Sequence, residues 1–263
     1  RQGKTIGFVP TMGYLHQGHL SLMRRARAEN DLLVVSIFVN PTQFAPGEDF
    51  KRYPRDFSRD KKMARLCGTD VIFFPRAKAM YRRDCKTYVD VEELSELLCG
   101  RSRPTHFRGV TTVVAKLFNI VQPDIAYLGQ KDAQQAAIIK QMSQDLNFPL
   151  KIKILPIVRG QGGLALSSRN SYLDENQKKA AQILYKALQT AVGMIKSGHY
   201  APREIIAKMR GMIQAKPGAR IDYIEILEGK SLKKAKKLKG PLLIALAVYF
   251  GKTRLIDNAL AKV

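Results

Sequence analysis

Short apolar runs bounded by turn formers alternate with amphipathic stretches through the first half of the chain. Thr5–Val9, Leu32–Val39, Asp70–Phe74 and Ile125–Leu128 are rich in β-branched and aromatic residues and predict strands. Between them, Leu20–Glu29, Arg55–Leu66, Thr111–Val121 and Ala133–Leu146 carry apolar positions at helical spacing. Strands alternating with helices predict a parallel α/β sheet. Ligands on such sheets bind beyond the carboxyl ends of the strands. The loops after Val9, Val39 and Leu128 are therefore where chemistry is expected.

The second half has a different rhythm. Lys151–Ile157 predicts a strand, and a glycine-rich loop follows, Arg159-Gly160-Gln161-Gly162-Gly163, then Ser167-Ser168-Arg169-Asn170. Long amphipathic stretches from Asp174 to Lys196 and from Pro202 to Gln214 predict helices. Arg220–Leu227, Leu242–Val248 and Thr253–Ile256 predict strands of a smaller sheet. The change of pattern sets an expected boundary at residue 157, giving domains 1–157 and 158–263.

Composition narrows the classes. Hydrophobic residues make up 45% of 263, enough for a packed core rather than a disordered chain. No apolar run approaches the roughly 18–20 residues that span a bilayer, so no membrane partner is expected. No secretory signal is recognised, and the abrupt start at Arg1-Gln2 suggests an upstream segment trimmed away. Cys67, Cys85 and Cys99 are odd in number and lack CxxC spacing. Zinc and disulfide frameworks are thus disfavoured, and a reducing cytoplasm is the simple expectation.

With 45 Lys+Arg against 22 Asp+Glu, the chain attracts anions. Nucleic acid and small phosphorylated or carboxylated molecules both qualify. An RNA-binding module needs aromatic platforms among the basic residues, and no such stretch stands out, so nucleic acid is not expected. The lysine cluster 230–239 reads as a solvated face.

The sharpest chemical feature is Pro10-Thr11-Met12-Gly13-Tyr14-Leu15-His16-Gln17-Gly18-His19, placed between a predicted strand and a predicted helix. Histidines three apart at a helix start share one side. The helix mouth offers free N–H groups and partial positive charge, and the glycines admit a close ligand. The arrangement suits a polyphosphate. A metal pair and a purely structural pair are the alternatives.

HxGH in this setting resembles the nucleotidylyltransferase superfamily, which includes class I aminoacyl-tRNA synthetases; Leu166-Ser167-Ser168-Arg169 falls where their second, mobile motif would lie. More narrowly, GFVPTMGYLHQGHLSL, SIFVNPTQF, YPRD, RPTHFRGV, GQKDAQQ and LALSSRNSYL, in that order, resemble the pantothenate synthetase family over nearly the whole chain.

The resemblance implies a Rossmann-like ATP- and pantoate-binding domain with a smaller α+β C-terminal lid domain, a homodimer, and an ATP- and Mg²⁺-dependent ligation of pantoate to β-alanine through pantoyl adenylate. It implies that Met12, Gly13, Tyr14, Leu15, His16, Gln17, Gly18 and His19 line the ATP site, with His19 a catalytic proton donor or transition-state stabiliser and His16 a catalytic support for the phosphates. Gly129, Gln130, Lys131, Asp132, Val158, Leu166, Ser167, Ser168 and Arg169 would also meet ATP, with Lys131 and Arg169 catalytic. Asn40, Gln43 and Gln135 would bind pantoate, beside apolar surface from Phe38 and Phe44. No protein ligand to the metal is assigned. His106 reads as a substrate neighbour or a structural hydrogen-bonder, with the second favoured. Ser167-Ser168 could equally cap the following segment.

The family stretch resembling Arg-Glu-Ala-Asp-Gly-Leu-Ala-Met is here Arg159-Gly160-Gln161-Gly162-Gly163-Leu164-Ala165-Leu166. Two acids are missing and extra glycines appear. Because glycine raises the entropic cost of ordering a loop, this lid is expected to be more mobile than in relatives. A rival within the superfamily is an adenylyltransferase, which leaves AMP on its product; it does not account for FVNPTQF together with KDAQQ.

Overall fold

The computed structural model describes residues 3–198, 200–229 and 231–263. Arg1, Gln2 and Lys230, on which the reading of the chain start and part of the lysine cluster fell, lie outside them. The chain divides into two compact units, Arg1–Pro156 and Ile157–Val263.

The first unit runs β1 (Ile6–Thr11), α1 (Gln17–Glu29), β2 (Leu32–Ile37), α2 (Phe57–Leu66), β3 (Val71–Phe73), α3 (Ala77–Met80), α4 (Cys99–Ser102), α5 (His106–Val121), β4 (Ile125–Gly129), α6 (Ala133–Asp145) and β5 (Lys151–Leu155). Among the described residues its five strands form one sheet in the order β3-β2-β1-β4-β5, and every pairing is parallel. The central strands are buried on both faces, as a helix-covered parallel sheet requires: Phe8, Val9, Leu33 and Val35 are fully enclosed. One core layer joins Val9, Val35 and Ile37 to Leu20, Met23 and Ala26 of α1 and Ala64 of α2.

The second unit runs α7 (Glu175–Ala181), α8 (Ile183–Ser197), α9 (Pro202–Gln214), β6 (Ala219–Glu228), β7 (Pro241–Phe250) and β8 (Thr253–Lys262). Its sheet is antiparallel, ordered β6-β7-β8. Alternate residues of β7, Leu242, Ile244, Leu246 and Val248, share a core with Leu184, Leu188 and Ile195 of α8 and Ile205, Met209 and Ile213 of α9. Each such side chain contributes about 1.5–3 kcal/mol when buried.

The expected helix Asp174–Lys196 is two helices, because the helical run is interrupted at Gln182. Helix α1 begins at Gln17 rather than Leu20 and α5 at His106 rather than Thr111. Strand β8 continues six residues past Ile256 to Lys262.

Candidate active site

From β1 the chain winds through β2 to β3 on one side; from β4 it winds to β5 on the other. The crevice at such a reversal, outside the carboxyl ends of the strands, is the usual ligand site of an open parallel sheet. Strand β1 ends at Thr11 and its neighbour β4 at Gly129. The segments at the crevice are therefore the histidine loop and Gln130–Asp132, one 3-10 turn.

The histidine loop is tightly specified. Thr11 Oγ1 donates to Ser36 O and accepts from Gly13 N–H at 3.1 Å. Gly13 lies at φ +82, and a Cβ there would sit 2.9 Å from Asp60 Oδ2 and from the Ile37 side chain. Tyr14 also has positive φ, 49°, an uncommon state for a non-glycine residue. The N–H groups of Tyr14 and Leu15 donate to the two oxygens of Asp60, 2.7 Å each. Leu15 is fully buried and anchors the loop in the core.

His16 then caps α1. Its Nδ1 accepts Gly18 N–H at 3.2 Å, while His19 Nδ1 accepts His16 N–H at 3.4 Å. The pair forms a reciprocal capping box, a role usually taken by Ser, Thr or Asp with Glu or Gln. Gly18 has to be small, since a Cβ would press within 2.9 Å of the His16 ring. A ring nitrogen that accepts a hydrogen bond carries no proton. Each neutral ring therefore holds its proton on Nε2, as a donor. The ring centroids lie 4.1 Å apart, with the planes tilted by 34°.

Electrostatics keep both rings neutral. Burial, then the Lys131 charge, pull the His16 pKa from 6.5 down to about 4. Burial, then His16 and Lys131, hold His19 well below its ordinary value. Lys131 is thus brought to the histidine pair, with Nζ 3.1 Å from Asp132 Oδ1. A Cβ on Gly129 would meet open space, so the backbone there is accessible.

Asn40 and Gln43 lie at the turn after β2, and both are buried. The Asn40 amide donates to Gln43 Oε1 at 3.2 Å and to Gly109 O at 3.0 Å. Its oxygen accepts from Thr42 Oγ1 and from the Tyr81 hydroxyl at 2.9 Å. Asn40 is thus fully engaged inside the protein. Its hydrogen bond fixes which end of the Gln43 amide is oxygen, and Gln43 Nε2 faces Met12 Sδ at 3.1 Å. His106 Nδ1 bonds Gln43 O at 2.8 Å and its Nε2 meets Arg103, a structural part that holds the backbone of the same turn. Phe38 is buried near Tyr81, and Phe44 packs on Phe50 and Tyr53. Gln135 is half-buried in the first turn of α6.

The family model described as pantoate-beta-alanine ligase matches residues 1–260. The chain belongs to the pantoate–β-alanine ligase family. It is 55% identical to the pantothenate synthetase of Caldicellulosiruptor bescii, over 98% of this chain and 92% of that one. Identity is also 55% to that of Moorella thermoacetica, over 100% and 93%. The crystal structure of pantothenate synthetase from Thermus thermophilus superimposes with a TM-score of 0.94 at 44% identity, covering 97% and 92% of the two chains. That of pantoate-β-alanine ligase from Francisella tularensis, complexed with beta-gamma ATP and β-alanine, gives 0.82 at 38%, covering 99% and 91%.

In this ligase residues 166–169 leave a small hairpin of the C-terminal unit and enter a 3-10 turn. Val158 and Leu166 are brought together, Leu166 N–H donating to Val158 O at 3.0 Å, and Arg159 bridges Ala165. Ser167 caps the following 3-10 turn by accepting Arg169 N–H, and Ser168 is buried. The glycines of the tip have a packing reason. Gly162 and Gly163 lie at φ +69 and +84, and a Cβ on either would run into Gln182 or the Tyr185 ring. The loop expected to be mobile is therefore fitted closely to α8 and the residue before it.

Two aspartates escaped the sequence reading. Asp60, 1% exposed, lies on the buried face of α2 with Ala64. The only hint was an acid at apolar-face spacing, Asp60, Ala64, Cys67. Asp257, 3% exposed on β8, takes both guanidinium nitrogens of Arg159 at 2.6 and 3.0 Å. The same guanidinium donates to Gly163 O and lies 4.3 Å over Tyr185. Gln134, beside the expected Gln135, is instead structural: it donates to Leu94 O and Leu97 O and accepts Cys99 N–H.

Proposed function

We propose that this ligase joins pantoate to β-alanine through pantoyl adenylate, made in the crevice between the β1 and β4 loops. The carboxylate of pantoate attacks the α-phosphorus of ATP and pyrophosphate leaves. The amine of β-alanine then attacks the acyl carbon and AMP leaves. Magnesium enters as Mg–ATP, since this ion favours phosphate oxygens and water and needs few protein ligands.

The observation that carries the reading is the pair of neutral, helix-capping imidazoles beside Lys131. Adenylation moves negative charge onto pyrophosphate oxygens. Fixed donors aimed at developing charge need no reorganisation as the bond breaks. His16 and His19 supply two Nε2–H donors, Lys131 a cation, and the first turn of α1 the N–H groups that the capping box does not take. Gln43, its amide set by Asn40, presents a donor to pantoate, and Gln135 is assigned the opposite side. The roles of Val158, Leu166, Ser167, Ser168 and Arg169 toward ATP rest on family resemblance, as does a homodimer. A reducing cytoplasm is assigned from the cysteine spacing, which suits neither a disulfide framework nor a zinc site.

The test is AMP release with ATP and pantoate, with and without β-alanine. Continuous AMP and pantothenate formation only when β-alanine is present supports the ligase. Steady release of an adenylylated product regardless of β-alanine contradicts it.

A further inference from the structure

The mechanism above leaves the buried carboxylate of Asp60 unused. Asp60 sits behind the histidine loop, and its two oxygens take the consecutive N–H groups of Tyr14 and Leu15. Consecutive N–H groups next to a left-handed residue form a concavity that binds anions. Left open, it would compete with the α1 mouth for the phosphates of the nucleotide. Asp60 fills it with an internal carboxylate, which leaves the helix mouth as the place for phosphate. The same two bonds hold Tyr14 at positive φ, a state costing about 1–3 kcal/mol that persists only where surroundings enforce it.

Arg59 works from the adjacent position. Its Nη2 donates to Leu15 O at 2.9 Å, its guanidinium lies 5.1 Å over the Tyr14 ring, and Nη1 stands 3.7 Å from Asp60 Oδ1. Loop carbonyl and loop amides are thus gripped from one helix, α2. Met12 lies at the start of this loop and His16 at its end, so its backbone sets where both side chains stand.

We propose that Asp60, assisted by Arg59, is a positioning residue for the adenylation step. It fixes the histidine loop and keeps phosphate out of the Tyr14–Leu15 amides. The proposal rests on the reading of that loop as the nucleotide site; Asp60 itself bonds Tyr14 and Leu15, and the loop meets the pantoate turn through Met12 Sδ and Gln43 Nε2.

The experiment is pantoate-dependent exchange of labelled pyrophosphate into ATP, without β-alanine, in wild type, Asp60→Asn, Arg59→Met and His19→Ala. The Asn amide would set its NH2 group against a loop N–H. Asp60→Asn is expected to lower kcat/KM for ATP roughly 10- to 100-fold, the scale of a lost charge-assisted bond, with KM for pantoate within about twofold. The ¹⁵N signals of His16 and His19 should move with it. Arg59, half exposed, can be replaced without emptying the core; Arg59→Met should show a smaller loss, about threefold or more, again confined to ATP. A folded Asp60→Asn enzyme with wild-type use of ATP and unmoved histidine signals overturns the proposal. If Asp60→Asn does not fold, wild-type use of ATP by Arg59→Met overturns it instead. His19→Ala separates the two levels. Undiminished exchange in that variant removes the nucleotide-site reading itself, whereas loss there with none in Asp60→Asn removes only the role of Asp60.

Discussion

Two loops of this ligase are built on the same plan with different hardware. The histidine loop after β1 and the glycine-rich hairpin after Pro156 both turn on positive-φ glycines, and both are tied to a buried aspartate. In the first, Asp60 grips the loop backbone directly through two amides. In the second, Asp257 grips a side chain, Arg159, whose guanidinium then reaches Gly163 O. A direct clamp fixes the atoms that carry the histidines and bears on chemistry. A clamp through arginine secures the base of a hairpin and bears first on stability.

That contrast can be broken most forcefully at Asp257. Replacing it with alanine strands a largely buried guanidinium, which costs about 3–5 kcal/mol in such pairs. Denaturant unfolding should show a loss of this order, and amide protection at Gly160 and Leu166 should fall. A loss below about 1 kcal/mol would mean that the ion pair is not what holds the hairpin.

On the other loop the same logic predicts rate more than stability. His19→Ala removes one stabilising donor and should lower turnover roughly 10²–10³-fold, with a loss of stability no larger than that of a helix cap, about 0.5–2 kcal/mol. Turnover near wild type would contradict the assignment of His19.

A smaller effect sharpens the reading of the tip. Gly163→Ala must accept a strained backbone and push on the Tyr185 ring, a cost of about 1–3 kcal/mol. A neutral or stabilising substitution would return the glycines to being mere sources of mobility, as the sequence alone suggested.

The fold was largely legible because hydrophobic period speaks directly about strand and helix. The five parallel strands and the three-stranded sheet sit close to where alternating and continuous apolar runs placed them. What periodicity missed were interruptions and caps. The apolar stripe from Asp174 to Lys196 runs on without a signal at Gln182, so two helices read as one. Helix α1 starts three residues early because imidazoles cap it, and histidine is outside the usual capping set.

The site was legible as a motif and not as a mechanism. HxGH between a strand and a helix pointed to a polyphosphate site, the reading proposed above. The Nε2–H tautomer depends on backbone geometry, and the two clamps join residues 45 and 46 apart for Asp60 and 98 apart for Asp257. Asn40 shows the same limit: its motif suggests a substrate contact, and does not announce the hydrogen bonds by which it holds the Gln43 amide.

The lowered histidine pKa values have a consequence of definite sign. His16 stays neutral in the folded protein down to about pH 4, while an unfolded histidine takes up a proton near 6.5. The unfolded state therefore binds more protons between those values, and stability falls as pH drops from 6.5 toward 4. Stability from this source is fully present above 6.5.

The most direct test of the central claim, two neutral imidazoles held as Nε2–H donors by the first turn of α1, is a pH titration of the ¹⁵N-histidine-labelled protein by NMR. The account predicts that His16 and His19 show the Nε2–H tautomer and do not titrate between about pH 8 and 5, consistent with the direction of both shifts. A proton on Nδ1 of either ring, or a midpoint near the ordinary 6.5, would contradict it.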